Sequence, residues 1–191
     1  MKFTKILGVV AVAALALMAF ASTASATTLE SNGVKQTGVV SIESTLKSGT
    51  SALLSDTFGA FANTCTVSTV KGKDSTSQTG TTVSGPVESL SWSSCKEGNP
   101  TVDAAGSLSV ENIAGTTNGT VRSIGAKVTV PSAFGTLTCT TAASPGTDLG
   151  TLTGVASGTA TMDINAVLSC GITAKWTGTY TVTSGPNGVT S

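Results

Sequence analysis

Between Met162 and Val182 every even position is apolar, small or aromatic: Met162, Ile164, Ala166, Leu168, Cys170, Ile172, Ala174, Trp176, Gly178, Tyr180 and Val182. From 173 onward the odd positions are Thr173, Lys175, Thr177, Thr179, Thr181 and Thr183. A period of two is the signature of a strand with one buried face. A single straight strand of these 21 residues would run about 70 Å at ~3.3 Å per residue. A domain of this size has a radius of gyration near ~15 Å, so the run must fold back. Parity survives a hairpin only across an odd loop or a bulge, which places the turn near Cys170-Gly171. Met162, Ile164, Leu168, Ile172, Trp176 and Val182 are the expected core wall. The threonine row opposite is expected to face solvent or another subunit. If that strand is an edge, Val40, Ile42 and Leu46 could supply a donor strand to it.

The same period recurs elsewhere. Val40, Ile42 and Leu46 share one parity, as do Leu90 and Trp92, and Ile124, Ala126, Val128 and Val130. Turn residues separate these stretches: a polar loop over Lys71 to Gly80, Lys96 to Pro100, Asn118-Gly119 and Ser144-Pro145-Gly146. Asn-Gly is a strong hairpin signal, and Pro131 is expected to end its strand. No segment after residue 26 sustains a 3.6-residue period. The expected class is all-β, an antiparallel sandwich or barrel-like fold, with helix only in the leader.

That leader is Met1 to Ala26. Lys2 and Lys5 precede an apolar run from Ile6 to Phe20, and Ala24-Ser25-Ala26 is a small-x-small cleavage site. The run falls short of the ~20 residues that span a bilayer. The expectation is cleavage before Thr27, a secreted or cell-surface protein, and no membrane span afterwards. Residues 27–191 then form a single β domain, with two related halves at about 50–115 and 120–185 as a finer reading. The full chain carries 10 Lys+Arg and 10 Asp+Glu. Removing Lys2 and Lys5 leaves 8 against 10, a net of −2. Charged residues are 10% of the chain, against ~25% in an average domain. The cations are scattered singly, which argues against a nucleic-acid partner.

Four cysteines follow the leader: Cys65, Cys95, Cys139 and Cys170. An even number in an exported chain reads as two disulfides. Histidine is absent and no CxxC occurs, so neither metal nor cofactor is expected. Three connectivities exist. An internal echo selects among them: Phe58-Gly59 leads into Thr64-Cys65-Thr66 as Phe134-Gly135 leads into Thr138-Cys139-Thr140, and each second cysteine follows a Leu-Ser. The echo pairs Cys65 with Cys95 and Cys139 with Cys170.

The four cysteines and the closing Trp176-Thr177-Gly178-Thr179-Tyr180-Thr181-Val182-Thr183-Ser184 carry a resemblance. The chain resembles small exported four-cysteine, Thr/Ser/Gly-rich bacterial proteins of the actinobacterial type, whose function is unknown. It is more distantly similar to PraB-like alkane-oxidation activator proteins. The resemblance implies a secreted β protein and carries over no catalytic residues.

Without histidine the commonest general base is missing. Asp103, Glu111, Asp148 and Asp163 are the carboxylates that could serve glycoside hydrolysis, but each reads more simply as a turn or solvated strand residue. The expectation is a secreted non-catalytic β protein at the cell surface or in the extracellular matrix, able to self-associate by strand addition. The rival is a binding module for a glycan or an apolar ligand. Trp92 and Trp176 are its candidate stacking residues, although their parity places both in the core. A homo-oligomer and a cell-surface glycan are the partners this leaves open.

Overall fold

In the computed structural model, which describes residues 26–74 and 80–191, alternation builds strands throughout. The leader lies outside the described residues except for Ala26. In chain order the strands are β1 (Thr28–Ser31), β2 (Val34–Lys35), β3 (Ser41–Leu46), β4 (Ala52–Asp56), β5 (Ala62–Lys73), β6 (Thr82–Cys95), β7 (Thr101–Ala104) and β8 (Ser107–Asn112). There follow β9 (Gly119–Ile124), β10 (Lys127–Ser132), β11 (Gly135–Thr140), β12 (Thr147–Thr153), β13 (Thr161–Ser169), β14 (Thr173–Ser184) and β15 (Gly188–Thr190). No helix occurs among the described residues.

The even-parity run folds back as its pattern requires. β13 and β14 pair antiparallel from Thr161↔Thr181 to Ser169↔Thr173. Three residues connect them, Cys170-Gly171-Ile172, an odd loop, and Gly171 takes φ 77°. That left-handed turn favours glycine. Met162, Ile164, Ala166, Tyr180 and Val182 are buried, while Leu168 and Trp176 are half-buried. Ile172 departs from the expected core wall. It sits on the turn at 43% exposure, because the reversal removes it from the sheet.

β14 is not an edge. Its C-terminal half pairs with β3 and its N-terminal half with β4. β3 and β4 both pair with β5 and run in one direction, so they form a single interrupted strand. The segment expected to donate a strand therefore docks within its own chain, Leu46 opposite Tyr180. Closure gives eight antiparallel positions in chain order: β3/β4, β5, β6, β8, β9, β12, β13 and β14. The fold is an up-and-down barrel with apolar side chains inside and mostly hydroxyls outside.

Small irregularities correct the inward pattern. In β6, Val83 and Val87 are buried at odd positions and Leu90 and Trp92 lie half-buried at even ones. The flip occurs at Glu88, which the pairing skips between Val87 and Ser89, a bulge. The alternation expected from Ile124 to Val130 spans two strands: Gly119, Val121 and Ser123 are the buried residues of β9, and Gly125 at φ 67° separates it from β10. Asn118-Gly119 does not form a two-residue turn. The β8–β9 loop is residues 113–118, and Gly119 opposes Asn112 in the ladder. A Cβ on Gly119 would lie 2.5 Å from Val110 Cγ1. Lys71 to Lys73 belong to β5 rather than to a loop. Pro131 lies inside β10, beyond the point where β7 stops pairing.

The remaining strands cover the two ends of the barrel. β7, β10 and β11 form a flap inserted between barrel strands, joined to β13 by one residue pair, Thr140↔Ser169. β15, β1 and β2 form a separate sheet in that order. Leu29, Val83 and Val189 make its core. Thr27, 1% exposed, anchors its start. The Thr27 amide donates to Gly80 O at 2.9 Å, its hydroxyl donates to Thr81 O at 2.5 Å, and Asn112 N donates to that hydroxyl at 3.1 Å.

Candidate functional site

The two disulfides are those selected by the echo, Cys65–Cys95 and Cys139–Cys170. Cys65 and Cys95 are directly opposed on β5 and β6. The second bridge ties the flap strand β11 to the end of β13. The two bridges enclose different elements. The first bridge closes one hairpin, whereas the second encloses β12 and β13.

Beneath the flap the barrel holds a cavity of about 90 Å³. Its walls include Val70, Val87, Leu90, Leu108, Met162 and Leu168 from the barrel and Val128, Val130 and Cys139 from the flap. Both tryptophans line it, half-buried, so the parity argument places them inside rather than on an outer platform. Trp92 and Trp176 meet edge to face with centroids 5.8 Å apart, and Trp176 meets Tyr180 in the same way at 6.3 Å. Such pairs add about 0.5–1.5 kcal/mol beyond burial. Tyr180 is fully buried. Its hydroxyl donates to Ser68 Oγ at 3.0 Å and accepts from the Trp92 indole. Burial raises the Tyr180 pKa above its ordinary value, and the hydrogen bonds with Ser68 and Trp92 partly oppose the rise.

Asn63, Ser123 and Thr141 of the cavity wall are engaged with one another or with the backbone. Asn63 Nδ2 donates to Gly98 O and Pro131 O, and its Oδ1 accepts from Glu97 N. Ser123 and Thr141 share a hydrogen bond of 3.2 Å, and Ala126 N donates to Thr141 Oγ1. Asn63 thereby clips the flap to β5. Sequence reasoning missed this residue, since an asparagine beside Thr64-Cys65 carries no signal beyond turn preference.

A second cavity of about 100 Å³ lies toward the terminal sheet, lined among others by Leu29, Ile42, Val83, Asp74, Val182 and Gly188. Val70, Val87, Leu108 and Met162 line both cavities.

The four carboxylates named from sequence line neither cavity. Asp103 accepts from the Thr129 hydroxyl and Asp163 from the Thr179 hydroxyl, each at 2.8 Å. Glu111 and Asp148 flank Arg122 at 3.6 and 2.6 Å. The hydrogen bond and charge of Asp148 raise the Arg122 pKa. Among the described residues no three His, Cys, Asp or Glu side chains converge as a metal site would need. No described helix is long and apolar enough to cross a membrane. Phe58 and Phe134, the echoed Phe-Gly positions, are 92% and 82% exposed on the β4–β5 and β10–β11 turns.

No protein-family profile, curated protein or solved structure matches the chain.

Proposed function

We propose that the protein is an exported, non-catalytic β-barrel that holds a small apolar ligand in its interior, at the cell surface or in the extracellular matrix. One observation carries the reading. The cavity under the flap is lined by apolar and aromatic side chains, and its asparagine, serine and Thr141 side chains already have partners. Eight-stranded barrels have room either for packed side chains or for one small ligand. An apolar cavity of this kind stays dry and takes apolar guests. The inward tryptophans favour an apolar guest over a glycan, which stacks on aromatic faces open to water. The two disulfides fit an oxidising compartment. Apolar-in, hydroxyl-out alternation is the reverse of a lipid-facing barrel. Self-association by strand addition belongs to the same reading at β7, which among the described residues pairs on one side only, with β10.

Xenon tests the reading because it fills small apolar cavities without hydrogen bonds. The xenon-129 resonance of the oxidised protein is expected to shift saturably, with tryptophan emission changing in parallel. In Val128→Phe, which fills the space under the flap, both responses are expected to fall. A xenon shift that grows linearly without saturation overturns the reading.

A further inference from the structure

We propose that the two cavities are halves of one site for an unbranched aliphatic chain, with Met162 as the movable partition; this rests on the apolar-ligand reading above. The cavities approach from opposite ends of one barrel and share four wall residues, Val70, Val87, Leu108 and Met162. Three of these are short or branched and belong to paired strands. Met162 is unbranched, with three rotatable bonds and a polarisable sulfur, the residue type that yields most readily to a guest. It stands opposite Tyr180 across the β13–β14 ladder, so its Cα is held while its side chain can swing along the barrel.

Size and polarity name the guest. An engineered cavity that binds benzene measures about 150 Å³. Neither space of about 90 and about 100 Å³ matches that alone, so a ring has no berth on either side of the partition. A chain one methylene wide needs only the gap that Met162 occupies. Under the flap its methylenes would meet Trp92, Trp176 and Leu168. At the far end they would meet Leu29, Ile42 and Val83.

The experiment compares xenon, which one cavity can hold, with n-decane, which needs both, and cyclohexane, which suits neither. Binding is read by xenon-129 shift and tryptophan emission on wild type, Met162→Ala and Met162→Leu, with thermal unfolding recorded for each. Wild type is expected to bind xenon and decane and to refuse cyclohexane. Met162→Ala is expected to tighten decane about tenfold, since displacing the partition no longer costs free energy. Met162→Leu conserves volume and so the fold, but its stiffer side chain is expected to weaken decane about tenfold while leaving xenon unchanged. Xenon binding without decane binding in wild type and Met162→Leu overturns the joined site and leaves the apolar-ligand reading standing. Cyclohexane binding as tightly as decane also overturns the joined site. Failure of xenon and decane alike removes both.

Discussion

The two ends of the barrel meet the same requirement by different means. Under the flap, both disulfides stand close to the cavity: Cys65 and Cys139 line it. The cluster of Leu54, Phe61, Val130, Cys139, Cys170 and Ala174 seals the contact. At the other end no cysteine is present and asparagine side chains hold the sheet. Asn187 is 5% exposed. Its Oδ1 accepts from Asn32 N at 2.9 Å, and its Nδ2 donates to Asn32 Oδ1 and Gly158 O. Asn112 Nδ2 donates to Thr116 O, Asn118 O and Val189 O, and its buried Oδ1 has no partner among the described residues. The flap is an insertion, close in sequence to the strands it covers. The terminal sheet joins segments from opposite ends of the chain. A covalent tie suits an element with one residue pair to the barrel, whereas a network of amides suits loops whose carbonyls all need donors.

Removing a disulfide should break this comparison most strongly. A loop of about 30 residues gives roughly 3–4 kcal/mol in the chain-entropy model, so Cys139→Ala/Cys170→Ala and Cys65→Ala/Cys95→Ala are expected to lose similar stability in urea. Their hydrogen exchange should differ. β5 and β6 keep their ladder without the bridge, but the β10–β11 hairpin is then paired to a barrel strand only through Thr140↔Ser169. Fast exchange over β10 and β11 is expected in the first variant alone. Equal protection of the flap in both variants would remove the distinction.

Single asparagine substitutions should sharpen it. Asn187→Ala leaves buried carbonyl and amide groups unpaired and is expected to cost about 2–3 kcal/mol, with faster exchange in β1 and β15 and unchanged tryptophan emission. Asn63→Ala is expected to cost about 2 kcal/mol with a shift of that emission, because its partners are Pro131 of the flap and the loop leading into β7. The reverse pattern of emission would show that the ends are coupled rather than separate.

The smallest effect lies between the ends. Tyr180 is the chain's one tyrosine, so its ionisation can be followed by absorbance alone. Its folded pKa is raised above the unfolded value near ~10. The associated stability is therefore complete below that value and is lost as pH climbs through the folded pKa. Phenolate absorbance is expected to appear only with alkaline unfolding. Tyr180→Phe, which strands Ser68 Oγ and the Trp92 indole, is expected to cost about 1 kcal/mol and to shift the alkaline transition upward. Titration of the phenol in the folded protein at its ordinary value would contradict this.

The parts of the fold visible in sequence are those set by local period. Met162 to Val182 reveals its two strands and even its odd loop, because parity is a property of consecutive residues. Inward placement of Trp92 and Trp176 follows from the same rule. Barrel closure does not: nothing in Val40, Ile42 and Leu46 distinguishes a partner in another subunit from Tyr180 and Val182 in the same chain. Ile172 misled because a turn residue can continue a parity by chance. Asn63, Asn112 and Asn187 were invisible for a related reason. In a chain rich in threonine, serine and glycine an asparagine looks like one more turn residue, and only the carbonyls around it reveal a clasp. The cavity was equally hidden, since volume depends on how eight strands close rather than on any one of them.

The burial of Thr27 bears on timing. A peptidase must draw the Ala26–Thr27 bond out as an extended strand in its own cleft. In the finished barrel Thr27 is held by Gly80, Thr81 and Asn112, so that bond is withdrawn from any such enzyme. If the proposed export signal is cut there, the cut must precede the closing of the terminal sheet.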